Sequence, residues 1–437
     1  MLLEFKAKNY KSFKNEMFFS MIPAPKQKGL DYSVLRKEIN NKLYKGLSSS
    51  VIYGANASGK TSIIEAMDVY KSIILRGNIR NATPQNINAA ADNLEMIPNV
   101  DNDKKEPIEF NIKFIEDNIL FEYGISIDIG LYATKDLSRE ILSEKLFVDN
   151  NLIFDRNTKT IEFHKINFIE QYLIKNFKEN EKSLREIAGS NINKEELFLV
   201  NGFKNIFSQI LADRITNWLN KKFITIYMAN TLLVSPQYDR EKIQFFKSSP
   251  VNDIAKIMGS INDIGYVYAK EDSSSHMVSV LNKKKIFVPA NIFESYGTFR
   301  FLNIVPILTL VLKKGGTLVV DEFDASLHPM VVMNIVKIFH NDEININKAQ
   351  LIFNTHNPIF LNSNFFRRDE IKFVERNEQT HFSELYSLSD FGTDGKDGVR
   401  KGEDYMKNYF VNKYGAIRDI DFSSVFEKLI KAEVKSE

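Results

Sequence analysis

The sequence predicts an α/β fold whose parallel-strand core is split into two halves by a long, largely helical middle segment. Three observations carry this reading. A short apolar strand, Val51–Tyr53, runs straight into a glycine-containing loop and then into apolar residues at helical spacing. Two further apolar strands, Thr317–Val320 and Gln350–Phe353, each end in a polar loop. Between the halves, residues 166–250 turn rich in Lys, Glu and Asn, with helical runs such as Phe203–Leu219.

Taken in order, Leu3, Phe5 and Ala7 alternate with Glu4, Lys6 and Lys8, the period of a half-buried first strand. Beyond the loop at 54–61, Ile63, Ile64, Met67, Tyr70, Ile73 and Ile74 recur at helical spacing. Residues 108–129 alternate as an antiparallel pair with Glu116-Asp117-Asn118 as its turn, and a second pair runs through Lys145–Phe163. Strand-type text returns at Lys285–Val288. The chain therefore divides into an N-terminal part of the core (1–165), a helical insertion for partner or dimer contacts (166–265) and a C-terminal part of the core (266–437). Long segments with no share in the site's chemistry more often recognise a partner.

Composition narrows the function. The 437 residues contain no cysteine, which removes disulfides, Cys-ligated zinc and thiol catalysis and fits a reducing cytoplasm. The six histidines show no metal-ligand spacing. No window of about 18 consecutive apolar residues exists, and the longest apolar stretch, Phe301–Leu312, is interrupted by Asn303, Pro306 and Thr309. Pro306 would mark a kink in a helix there. The net charge of +2 does not by itself argue for nucleic acid.

Four segments carry chemistry. GANASGKT at 54–61 fits the phosphate-binding P-loop, G-x-x-x-x-G-K-[ST]. Gly54 and Gly59 let the backbone curl so that the N–H groups of Ala55, Asn56, Ala57 and Ser58 face phosphates, with the helix N-terminus at Lys60, Thr61 and Ser62 adding its positive end. Lys60 would reach the β- and γ-phosphates, and the Thr61 hydroxyl would ligate Mg²⁺. TLVVDEFDASLHP at 317–329 places Asp321 and Glu322 at the end of a buried strand, where ligands bind in α/β sheets. Asp321 would hold Mg²⁺ and Glu322 would polarise the attacking water as general base. NIFESYGTFR at 291–300 reads as a helix N-terminus, with Ser295, Gly297 and Thr298 able to face an anion. LIFNTHNPIF at 351–360 puts His356 at a strand end, able to donate to a γ-phosphate. The cofactors expected are ATP and Mg²⁺.

The order P-loop, Ser-x-Gly segment, strand-borne Asp-Glu and switch His resembles the ABC-type ATPases of the SMC/RecF/OLD branch. More narrowly it resembles the ATPases of bacterial anti-phage defence systems, the RloA, AbiL and PARIS AriA group. The matching text is NYKSFK (9–14), YGANASGKTSIIEAM (53–67), ESYGTFR (294–300), VVDEFDASLHP (319–329), NTHNP (354–358), RRDEIKFVERN (367–377), ELYSLSDF (384–391) and NKYGAI (412–417). The resemblance implies an ABC-type P-loop ATPase head, a mixed sheet flanked by helices. It also implies that Ser295 and Gly297 contact the nucleotide of a second protomer, that Asp324 and Ser326 form a loop across the dimer, and that His356 is the switch. Tyr296 stands where the ABC signature usually has Gly, and Gln85 is the candidate for the Q-loop.

The function so implied is an ATPase that dimerises around ATP and Mg²⁺, in a homodimer or higher even-numbered oligomer. It would act as sensor and scaffold for a separate TOPRIM-like nuclease encoded by a neighbouring gene, with a phage protein as trigger and no membrane. Two alternatives stand beside it. A self-contained OLD-like nuclease would need a TOPRIM domain, for which only about 80 residues follow His356; Asp394 and Asp397 sit in a Gly-flanked turn. A RecF-like repair ATPase would bind DNA through a basic groove, and Lys283-Lys284-Lys285 and Arg367-Arg368 read better as solvated faces.

Overall fold

The computed structural model describes residues 1–25, 27, 29–80, 96–99, 106–130, 139–227, 249–269, 274–281, 286–325, 327–393, 398–400, 402–418 and 421–433. Gln85, Lys283–Lys285, Ser326, Asp394 and Asp397 lie outside these residues.

The N-terminal half supplies β1 (Leu2–Lys8), β2 (Met17–Ser20), β3 (Val34–Ile39), β4 (Lys42–Leu47), β5 (Ser49–Tyr53) and α1 (Lys60–Arg76). Then come β6 (Ile108–Glu116), β7 (Ile119–Asp128), β8 (Glu140–Val148), β9 (Asn151–Asn157) and β10 (Ile161–Phe163). Seven of these strands form a sheet in the order β10-β9-β8-β7-β6-β1-β2, antiparallel at every pairing. Its two tightest hairpins turn at Asp117-Asn118 and Asp149-Asn150, and all four residues have positive φ (45°, 59°, 48° and 64°). Turns of that hand match the twist of the strands, and Asp and Asn adopt the left-handed region more cheaply than other residues with a side chain. Alternating residues of β6 and β7, among them Phe110, Ile112, Phe114, Phe121, Tyr123 and Ile125, face a core beneath the sheet.

The middle segment contributes α2 (Phe177–Ser190), α3 (Gln209–Lys221), β11 (Phe223–Ile226), α4 (Ser249–Ile257), β12 (Asp263–Ala269), β13 (Ser274–Leu281) and β14 (Ile286–Pro289). This differs from the helical insertion expected over 166–265. Leu199, Phe203, Phe207, Leu211, Ile215 and Trp218 are buried in the same apolar cluster as Phe5, Phe114 and Tyr70, and Trp218 stacks on Phe114 at 3.9 Å between ring centroids. A segment whose one Trp fills the shared core is structural, so residues 166–226 are part of the head. Residues 263–289 are a three-stranded antiparallel sheet, β12-β13-β14, with its own small core of Val251, Ala255, Ile264, Tyr266, Met277, Ala290 and Leu302.

The C-terminal half adds α5 (Tyr296–Lys314), β15 (Thr317–Val320), α6 (Pro329–Phe339), β16 (Gln350–Asn354), β17 (Ile371–Arg376), β18 (Ser383–Ser387), α7 (Tyr405–Phe410) and α8 (Ser423–Glu433). The second large sheet runs β11-β15-β16-β5-β17-β18. All its pairings are parallel except β17 with β18, so it is mixed, as expected. Every residue of β5, β15 and β16 is buried, the pattern of strands covered on both faces. Their side chains alternate between two cores. Ile52, Val319 and Ile352 join α1 and the antiparallel sheet, while Val51, Leu318, Val320, Leu351 and Phe353 join α5 and α6. Helix α5 runs unbroken through Pro306, and it is the one described helix long and apolar enough to cross a membrane. Its Leu302, Ile304, Val305, Leu308 and Val311 are buried in protein, as in a core helix.

Arg367 and Arg368 do not form a solvated face. Both are buried. Arg367 forks onto Asp369 through two 2.9 Å bonds, and Arg368 donates to the carbonyls of Leu388, Ser389 and Gly392.

Candidate nucleotide site

The site lies at the carboxyl ends of β5, β15 and β16, where three parallel strands deliver their following loops side by side. β5 leads into the loop 54–59, and α1 starts at Lys60. Two glycines are sterically required here. A Cβ on Gly54 would stand 2.4 Å from the Val374 carbonyl, and one on Gly59 would meet Ser12 Oγ at 2.7 Å. Gly59 also has φ 110°, and Ala57 lies in the left-handed region at 60°. The Ser383 hydroxyl donates to the Ser58 carbonyl at 2.5 Å, so β18 buttresses the loop from behind.

A cavity of about 530 Å³ opens over this loop. Asn56, Ala57, Ser58, Gly59, Lys60, Thr61 and Ser62 line one wall, and Glu322, Asn354 and His356 line another. Lys60 Nζ donates to the carbonyls of Gly54 (2.8 Å) and Ala55 (3.0 Å). Burial lowers its pKa to about 8, against the pull of Asp321 and Glu322. Thr61 Oγ1 donates to Asp321 Oδ1 at 3.2 Å, which joins the two expected magnesium ligands. A hydroxyl and a carboxylate this close fit Mg²⁺, which takes one or two protein oxygens and fills its octahedron with phosphate and water. Burial raises the Asp321 pKa, opposed by hydrogen bonds from Asn354 and Thr61. His356 is pushed down by desolvation and by Lys60, so at neutral pH its ring is uncharged and can donate one N–H.

The match of residues 49–362, 314 of the 437, to the family described as "AAA domain, putative AbiEii toxin, Type IV TA system" decides the affiliation. The chain belongs to this family. Among solved structures, it is similar to the recombination mediator protein RecF with ATP, from the RecFOR pathway. That likeness has 10% identity and a TM-score of 0.35, and covers 88% of this chain and 99% of that chain. No curated protein matches it. As a member of this AAA-domain family the chain is a P-loop ATPase, and ATP is its expected ligand.

In this AAA-domain protein the elements of the site are not all in one place. Ser295, Gly297 and Thr298 line none of the cavity. Ser295 caps α5, accepting from the Thr298 N–H at 3.1 Å and bonding its hydroxyl at 2.8 Å. Asp324 is partly buried beside Thr355, and burial raises its pKa.

Two residues escaped the sequence reading. Asn354, 1% exposed at the end of β16, donates from Nδ2 to Asp321 and accepts the Glu322 N–H on Oδ1. It therefore holds the two acids in a fixed relation. Glu322 has φ 48°, a conformation costing a non-glycine residue roughly 1 kcal/mol. Arg300, 4% exposed in the second turn of α5, donates to the Glu322 carbonyl at 2.8 Å and to the Ala325 carbonyl. Both residues stood inside quoted motifs, yet only the strand order reveals what they touch. Lys11, Ser12 and Asn99 close the far side of the cavity, with Lys11 paired to Glu65 at 2.7 Å.

Proposed function

We propose that two copies of this chain close around ATP and Mg²⁺ and hydrolyse it at sites shared between them. One observation carries this reading. Lys60, Thr61, Asp321, Glu322 and His356 converge as a half-site, while Ser295, Gly297 and Thr298, an anion-facing helix start, line no part of it. Two-fold pairing would bring the helix start of one copy to the phosphate of the other and make two sites. In each, Thr61 and Asp321 would hold the metal, Lys60 and the loop N–H groups would hold the phosphates, Glu322 would take a proton from water, and His356 would donate to the γ-phosphate.

In the cell we read this cycle as the sensor and scaffold of an anti-phage system in the cytoplasm, in line with the toxin–antitoxin description of its family. Closed and open states would differ in affinity for a separate effector, a TOPRIM-like nuclease encoded nearby, with a phage protein as trigger. Cleavage of nucleic acid by the isolated chain would overturn the effector half.

The shared site is tested by mixing inactive copies. A Lys60→Ala protomer and a Ser295→Arg protomer, each dead alone, should together regain about one working site per mixed pair. If no mixture of folded, associating variants regains hydrolysis, the sites are not shared.

A further inference from the structure

We infer that Arg300 is a positioning residue that ties the water-activating Glu322 of a chain to the start of the same chain's α5. It would thereby make hydrolysis at one nucleotide site depend on occupancy of the other. The inference rests on the shared-site reading above. Its geometry does not.

A single guanidinium spans the whole turn after β15. Arg300 Nη2 donates to the Glu322 carbonyl at 2.8 Å and Nη1 to the Ala325 carbonyl, and the turn closes on itself through Ala325 N–H to Glu322 O at 3.0 Å. On the other side of the same residue, the Glu322 N–H donates to Asn354 Oδ1. The backbone of Glu322 is thus gripped at both its polar groups while its carboxylate projects into the cavity, held in a left-handed conformation that a side chain rarely adopts. Asn354 ends β16 of the core sheet, beside β15, and is bonded to Asp321. Arg300 belongs to α5.

Helix α5 is an unbroken rod of 19 residues whose capped end is Ser295, five residues before Arg300. Lys would not substitute, since the turn needs a planar fork reaching two carbonyls at once. Burial of the guanidinium, with Nε lacking any partner, means that these carbonyl contacts bear most of its solvation. A small shift of α5, as when its first turn engages an anion, must carry the fork with it and reorient the Glu322 backbone. In the shared-site arrangement that anion is the phosphate bound to the other copy, so each chain's base reports on its partner's nucleotide.

The experiment compares wild type, Arg300→Lys and Arg300→Gln for steady-state hydrolysis against ATP concentration, with nucleotide affinity measured separately by equilibrium binding. Wild type should show a Hill coefficient above one. Both variants should bind ATP within about threefold of wild type and lose about tenfold or more in kcat, with a Hill coefficient near one. Lys should not rescue, although it keeps the charge. A lowered kcat with cooperativity intact would reduce Arg300 to a structural prop and overturn the inference, as would a Hill coefficient of one in wild type. A variant that fails to fold is recognised by its lost ATP affinity, and Asn354→Ala then serves in its place, since it removes the Oδ1 that accepts the Glu322 N–H and should lower kcat while leaving the Hill coefficient above one. Failure of the shared-site reading is seen independently, as absence of ATP-dependent association of the Glu322→Gln protein in sedimentation.

Discussion

Two clusters of charge sit in this molecule, one buried and one open to solvent, and they are built in opposite ways. Under the antiparallel sheet, Glu144 and Arg156 are 0% and 1% exposed, 3.1 Å apart. Every lone pair of Glu144 that matters is filled, by the Tyr123 hydroxyl (2.7 Å), the N–H groups of Phe198 (2.7 Å) and Leu199 (2.6 Å), and Arg156. Arg156 also donates from Nη1 and Nη2 to the carbonyls of Glu196 and Asn193, while its buried Nε has no partner among the described residues. At the mouth of the core sheet, Lys60, Asp321, Glu322 and His356 are held by fewer bonds and open onto a cavity, and three of them carry shifted pKa values. A cluster built around a fully hydrogen-bonded carboxylate fastens two elements together. An open one has affinity left over for a ligand.

Breaking the open cluster should cost chemistry with little cost to stability, and this is the largest effect expected. Glu322→Gln keeps size and hydrogen bonding but removes the base, so hydrolysis should fall by about 10²–10⁴-fold while ATP·Mg²⁺ still binds. Hydrolysis at the wild-type rate, measured by phosphate release, would mean the base lies elsewhere. Breaking the closed cluster should do the reverse. Glu144→Gln leaves the Arg156 charge buried without its counter-ion and should cost roughly 3–5 kcal/mol of stability. Urea unfolding would show it as a lower midpoint. If the midpoint is unchanged, the node is not the fastening described here.

The smallest effect sharpens the comparison through pH. With its pKa lowered to about 8 by burial, Lys60 is half deprotonated near that pH when no nucleotide is bound and mostly neutral a unit above it. Phosphate prefers the charged form, so its presence raises the pKa and binding takes up a proton. ATP affinity should therefore hold steady below pH 8 and weaken above it, by about tenfold at pH 9. Titrating nucleotide from pH 6.5 to 9.5 tests this, and Lys60→Arg should flatten the curve because guanidinium stays charged. A flat wild-type curve would place the ammonium in a wetter setting than the structure gives it.

The legible parts of the sequence were those where a local pattern has one physical meaning. The loop at 54–61 could be read because its glycines and Lys sit between a strand and a helix, and the turn at Asp117-Asn118 because those residues tolerate the left-handed backbone. Asn354 and Arg300 were illegible for a different reason. A polar residue after a strand and a cation in a helix are ordinary locally, and their roles depend on β16 lying next to β15 and on α5 crossing the turn at 322–325. The middle segment misled by composition. Its Lys, Glu and Asn lie on the outer faces of α2 and α3, while Phe198, Phe207 and Trp218 are spent on a core that only the tertiary fold reveals.

The spatial order of the central strands has a consequence for how the protein comes into being. The P-loop strand β5 is flanked by β16 and β17, which follow it by some three hundred residues, and Thr61 meets Asp321 across 260 positions of chain. While the polypeptide emerges from the ribosome, the phosphate loop is exposed long before β15, β16 and β17 have been translated. Gln350 makes the delay sharper, because its side chain holds the Leu2 N–H at 2.6 Å and the Leu2 carbonyl at 3.0 Å across 348 residues. Only a chain translated past β16 can assemble the pocket, so a product interrupted before Asp321 carries the loop without the acids that face it.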